Sequence, residues 1–165
     1  MRAGVLNLQR IGGTDRRILR IIKHPKFIRH YYDVALVILD QSYIFDEDIQ
    51  PVCLPQKSST SADFMSQFTV TIQGWGKEKK NGPTSSQLTQ VDLTVRSREN
   101  CNDKYKKMSP ALKSVWLPNL LITSMFCADG NLRSDVGTCY GDSGGPTMIQ
   151  LITYLYNYTK LKRVF

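Results

Sequence analysis

Apolar and polar positions divide the chain into a succession of short extended pieces. Residues 5–8 form a brief apolar patch. Residues 18–23 are rich in β-branched side chains and stop at His24-Pro25, where proline blocks further extension. Val34-Ala35-Leu36-Val37-Ile38-Leu39 is a continuous apolar run of strand length, the pattern of a fully buried core strand. Gln50-Pro51-Val52-Cys53-Leu54-Pro55 reads as an extended crossing segment. The polar Lys57-Ser58-Ser59-Thr60-Ser61 that follows reads as a loop between two lobes. Beyond it, residues 68–73 alternate apolar and polar, as a half-buried strand does, and run into Gly74-Trp75-Gly76. Residues 77–86 form a charged loop, and residues 88–95 alternate again through Val91, Leu93 and Val95. Ser97 is placed to cap a short helix over 97–107, with Glu99 and Asn100 near its first turn. Residues 111–121 are ambiguous, and residues 123–128 make a strand. No repeat recurs at a fixed period. Many short strands and turn signals predict an all-β sandwich or barrel.

Composition narrows the function classes. With 41% hydrophobic and 22% charged residues in 165, the chain has the balance of a globular protein with a real core. The net charge of +8 would favour polyanions if it were concentrated. It is scattered, and its densest clusters (Lys77, Lys79, Lys80; Lys104, Lys106, Lys107) fall in polar stretches that read as solvated faces. No nucleic-acid partner is expected. No apolar run approaches the roughly 20 residues that span a bilayer, so no membrane partner is expected either. The start, Met1-Arg2-Ala3-Gly4-Val5-Leu6-Asn7, is too short and mixed for a signal peptide. Four cysteines allow three pairings and show no zinc spacing, so disulfides and an oxidising compartment are favoured over a metal. The sequon Asn157-Tyr158-Thr159 is usable only in a secreted protein.

The chemistry concentrates in Thr138-Cys139-Tyr140-Gly141-Asp142-Ser143-Gly144-Gly145-Pro146. A serine follows an acid directly and precedes two glycines and a proline. The small residues allow a sharp turn and a close approach of backbone N–H groups to a bound carbonyl. This segment resembles the catalytic-serine loop of the chymotrypsin/trypsin family of serine proteases. Other stretches resemble the same family: Ile22-Lys23-His24-Pro25, the run from Asp33 to Leu39, Pro51-Val52-Cys53-Leu54-Pro55, Gln73-Gly74-Trp75-Gly76 and Met125-Phe126-Cys127-Ala128.

The resemblance implies an all-β fold of two six-stranded antiparallel barrels with a site between them. The first barrel would be incomplete at the N-terminus and the second at the C-terminus. Residues 1–62 would be the remnant of barrel one and the link, 63–146 most of barrel two, and 147–165 a divergent tail. It implies hydrolysis of peptide bonds in a peptide or protein substrate, with no cofactor and no metal. Ser143 would be the nucleophile and Asp33 the triad acid. The N–H groups of Gly141 and Ser143 would form the oxyanion hole. Asp142 would pair with the amine freed on zymogen cleavage. Gly137, six before Ser143, would lie at the base of the specificity pocket, where an aspartate would select Lys or Arg. Cys101 and Cys127 would pair, and Cys53 would tether an upstream chain. The parent protein would be extracellular.

The chain also departs from the family. Asp33 and Ser143 lie 110 positions apart (143 − 33), against about 93 in the template. The template histidine lies about 45 residues before the acid, and only 32 residues precede Asp33 here. His24 matches a structural His-Pro, and His30 lies three residues from Asp33, too close to be the family's base. The expectation is an inactive chain that lacks its general base, with a non-catalytic homologue acting as a binding module as the alternative. Arg10-Ile11-Gly12-Gly13 imitates an activation site but is read as a turn, because only 22 residues (33 − 11) separate Ile11 from Asp33. After residues 147–149, which can begin a strand, no cysteine remains to pair with Cys139.

Overall fold

A computed structural model of the chain describes residues 1–28, 31–54, 68–79, 81–107, 125–130, 137–151 and 160–164. Nine strands and one helix lie among them: β1 (Arg2–Ala3), β2 (Thr14–Asp15), β3 (Ile18–Lys23), β4 (Ala35–Leu39), β5 (Thr69–Gly74), β6 (Thr89–Arg96), α1 (Arg98–Lys106), β7 (Cys127–Asp129), β8 (Thr147–Leu151) and β9 (Lys160–Val164). All pairings are antiparallel. β1 pairs only with β2 and β3 only with β4, while the rest form one five-stranded sheet in the order β7-β6-β5-β8-β9.

The alternation in β5 and β6 places their side chains on two chemically distinct faces. Val70 lies opposite Leu93 and Ile72 opposite Val91, and this face builds the core. Val70, Leu93, Val95 and Ile149 are buried together, with Phe68, Phe126 and Ala128 against them. On the other face Thr71 donates to Asp92 at 2.6 Å and Gln73 to Gln90 at 3.2 Å, cross-strand pairs of the same register. β8 carries Ile149 into the core opposite Val70, and β9 pairs along the full length of β8.

The helix begins where a cap residue permits it. Ser97 holds an extended backbone, and its hydroxyl accepts the Asn100 N–H at 3.2 Å. Nine residues are too few to be stable alone, and only Cys101 is buried. The helix is held by a disulfide from Cys101 to Cys127 in β7, with Cα atoms 6.4 Å apart. Asp129 ties it further, accepting from Lys104 at 2.9 Å and from Arg96 of β6 at 2.7 Å.

Two expectations about the fold are corrected. No sheet among the described residues closes into a barrel. Closure requires a last strand bonded to the first, whereas the five-stranded sheet ends in β7 and β9, and the two pairs have no third strand. The apolar run at 34–39 does form a strand, but it is not buried: Leu36 is 64% exposed. Among the described residues no third strand joins this two-stranded ribbon, and apolar patterning alone does not bury it. Residues 111–121 lie outside the described residues.

The N-terminal segment docks on the larger sheet by backbone bonds. The Leu8 N–H donates to the Ser86 carbonyl at 2.8 Å and the Leu88 N–H to the Leu6 carbonyl at 2.7 Å. The Trp75 indole donates to the same Leu6 carbonyl at 3.2 Å. Arg10 to Gly13 form an exposed bend, with φ of 146° at Gly12 and 75° at Gly13.

Candidate active site

The serine loop consists of two consecutive turns that share Asp142. The Asp142 N–H donates to the Cys139 carbonyl at 3.1 Å, and the Gly145 N–H to the Asp142 carbonyl at 2.9 Å. The third residue of each turn is a glycine with positive φ, 102° at Gly141 and 79° at Gly144. A side chain there would be strained, as at the third position of a type II turn. Gly141 also lies close to Gly76: a Cβ on it would meet the Gly76 Cα at 2.9 Å. Ser143 sits exposed at the apex of the second turn.

The Asp142 side chain points into the protein rather than outward. Its Oδ1 accepts the Gly76 N–H at 2.9 Å, and its Oδ2 accepts the Cys139 N–H at 2.9 Å. The Lys77 N–H donates to the Tyr140 carbonyl at 2.8 Å. The end of β5 and the residues just after it therefore brace the serine loop at positions 140 and 142. Gly74 and Gly76 leave the room for this, since a Cβ on either would collide with the Asp142 carboxylate. In the sequence, Gly74-Trp75-Gly76 stands out only as the end of an alternating strand and as a stretch resembling the family. Its part in seating Asp142 was not legible, because the contact spans 66 residues.

Asp33 lines a cavity of about 720 Å³ together with His24, Tyr32, Phe126, Thr138 and Thr147. Thr138 directly precedes Cys139, so one end of the serine loop reaches this cavity. Ser143 and Gly141 are not among its lining residues. The Asp33 carboxylate and the Ser143 hydroxyl have no hydrogen-bond partner among the described residues. His24 is engaged elsewhere: its ring stacks on Tyr32 with centroids 5.0 Å apart, and its Nδ1 accepts the Lys26 N–H at 3.1 Å. His30 lies outside the described residues. Gly137 is exposed, and nothing stands within 4 Å of where its Cβ would be. Cys139 and Cys53 are free thiols, the latter exposed. No group of residues able to hold a metal occurs among the described residues, and no helix among them is long and apolar enough to cross a membrane.

The glycine-dependent serine turn is seated on the half-buried Asp142 carboxylate, and comparison with known proteins places the chain in a family. The trypsin family profile, "Trypsin", matches residues 1–153. The chain belongs to the trypsin family of serine proteases, whose common reaction is hydrolysis of peptide bonds. It is 35% identical over 158 residues to "Serine protease snk" of Drosophila melanogaster, covering 93% of this chain and 34% of that protein. It is 31% identical over 140 residues to the clotting factor G beta subunit of Tachypleus tridentatus, covering 84% of this chain and 43% of the relative. The proclotting enzyme of the same animal is 30% identical over 141 residues, with 84% and 34% covered. The chain thus spans less than half the length of these relatives.

Proposed function

We propose that the chain carries the serine-loop half of a peptide-hydrolysing site, and that these 165 residues alone do not turn over. Ser143 is the nucleophile. Its Oγ attacks the substrate carbonyl carbon and needs a base to take the hydroxyl proton. The N–H groups of Gly141 and Ser143 receive the developing oxyanion. Collapse breaks the C–N bond, the proton passes to the leaving amine, and water then hydrolyses the acyl-enzyme. Asp33 orients the base, Asp142 seats the loop, and Gly137 forms a pocket base with no preference for Lys or Arg.

The observation that carries this reading is the loop itself: two glycine-dependent turns that hold Ser143 outward over a seated Asp142. Inactivity is supported by the state of His24, whose ring is committed to Tyr32 and the Lys26 amide. It is supported also by Asp33 and Ser143, which meet no imidazole among the described residues. Loss of the base lowers turnover by several orders of magnitude. The Cys101–Cys127 bond supports an extracellular compartment, and the exposed Cys53 thiol supports a tether to another chain.

A fluorophosphonate probe tests both parts. The 165-residue chain should remain unlabelled. A form that carries a histidine encoded upstream of Met1 should label at Ser143, and its Ser143→Ala variant should not. Strong labelling of the 165-residue chain would overturn the inactivity. A longer form that contains no such histidine and resists the probe would favour the second reading, a non-catalytic homologue that binds protein segments. The Asp33 carboxylate, which meets no hydrogen-bond partner among the described residues, supports that alternative.

A further inference from the structure

We infer that His24 is a positioning residue for Asp33, acting on both of its chain neighbours at once. On the N-terminal side it holds Tyr32 by ring stacking, at 5.0 Å and 8° between planes. On the C-terminal side its backbone N–H donates to the Val34 carbonyl at 3.0 Å. Asp33 is therefore suspended between two points fixed by one residue. The proposal rests on the reading of Asp33 as the acid of the site.

The backbone at Asp33 is of a kind that needs such support. Tyr32 has φ of 53°, the only positive value at a non-glycine position among the described residues. A tyrosine in the left-handed region is strained and persists where surrounding contacts impose it. The Val34 N–H then donates to the Tyr32 carbonyl at 2.9 Å, closing a three-residue turn with Asp33 at its centre. This turn aims Asp33 at the cavity. The stack supplies the contact that keeps Tyr32 left-handed.

The orientation of the His24 ring is itself set. Its Nδ1 accepts the Lys26 N–H at 3.1 Å, which leaves the proton of the neutral ring on Nε2. Protonation of Nδ1 turns that acceptor into a donor and breaks the bond to Lys26. His24 faces the Tyr32 ring and shares its cavity with the Asp33 carboxylate. Lys26 follows in the same turn, and the cavity wall from β5, β6 and β8 offers only the uncharged Ile72, Leu93 and Thr147. The position of Asp33 thereby becomes sensitive to the charge on His24.

The test reads Asp33 directly and needs no turnover, so its failure is distinct from failure of the protease reading. In the isotopically labelled 165-residue chain, NMR would follow the His24 ring and the Asp33 and Val34 amides from about pH 8 to about pH 5, across the ordinary histidine range. The expected result is a shift of both amides with the midpoint of the His24 titration. Tyr32→Phe preserves the stack and should preserve that coupling. His24→Phe keeps a ring but cannot titrate, and should abolish it. Tyr32→Gly removes the stack while satisfying the positive φ, and should leave His24 titrating with the amides unmoved. Amides that ignore the His24 midpoint in the unmodified chain would overturn the proposal. So would amides that follow it undiminished in Tyr32→Gly, because the coupling would then be plain electrostatics through space.

Discussion

The amide of Gly76 donates to the carboxylate of Asp142 at 2.9 Å, joining the end of β5 to the residue before the exposed serine. The contact depends on the absence of a side chain, since a Cβ at position 76 would meet the Asp142 Cγ at 2.5 Å and Oδ2 at 2.7 Å. Gly76→Ala should therefore displace the serine loop and cost about 1–3 kcal/mol, the range of overpacking. Hydrogen exchange should show lost protection at the Gly76 and Cys139 amides. Gly137→Ala is the control: its Cβ would meet nothing within 4 Å, and stability should change by less than about 0.5 kcal/mol.

Removing the disulfide should loosen the helix from the sheet. Cys101 and Cys127 are 26 positions apart, and bridges closing loops of this size stabilise by about 2–4 kcal/mol. Reduction, or Cys127→Ala, should lower the urea midpoint accordingly. The ion pairs from Asp129 to Arg96 and Lys104 are partly exposed and should not make up the loss.

Among the described residues, core packing is concentrated in a small cluster of side chains. Leu93 is 5% exposed and packs with Val70, Val95 and Ile149. Leu93→Ala should cost about 2–5 kcal/mol. Leu36→Ala, on the exposed ribbon, should change stability far less. Thermal denaturation of the two variants side by side would separate buried from exposed strand residues.

The β1–β2 pair carries a pH dependence whose sign is set by Asp15. The hydrogen bond from Arg2, chiefly, and its charge hold the Asp15 carboxyl below its usual value, against a desolvation effect in the other direction. A depressed carboxyl stabilises the pairing above its unfolded value, and that contribution is lost as pH falls through the folded one. The Arg2–Asp15 contact at 2.7 Å should persist at neutral pH and through the ordinary aspartate range, and be lost only at more acid pH, as the depressed carboxyl takes up its proton. The Arg2 side-chain Nε–H resonance would report it, and added salt should weaken it throughout.

Local signals were legible where one face of an element meets a core. β5 and β6 show their alternation because Val70, Leu93 and Val95 are inward while Thr71, Gln73 and Asp92 pair outside. Ser97 announces its helix because a cap acts over three residues. The serine loop was legible because its turns demand glycine at fixed positions. The burial of residues 34–39 was not, because burial depends on what covers a strand, and no property of the strand states that. The same holds for the barrels: closure is a relation between distant strands, invisible to a pattern of period two. The left-handed Tyr32 carries no sequence mark either.

β3 and β4 hold Ile18, Leu19, Ile21, Ile22, Leu36, Val37 and Ile38 toward solvent, and among the described residues neither strand has a neighbour on its outer edge. An unpaired apolar edge is a template for another chain at contact distance. The charge of +8 acts at longer range and keeps molecules apart. Salt shortens the second effect and leaves the first untouched. The colloidal behaviour of the chain is thus a contest between range and adhesion, in which rising ionic strength should make it less soluble rather than more.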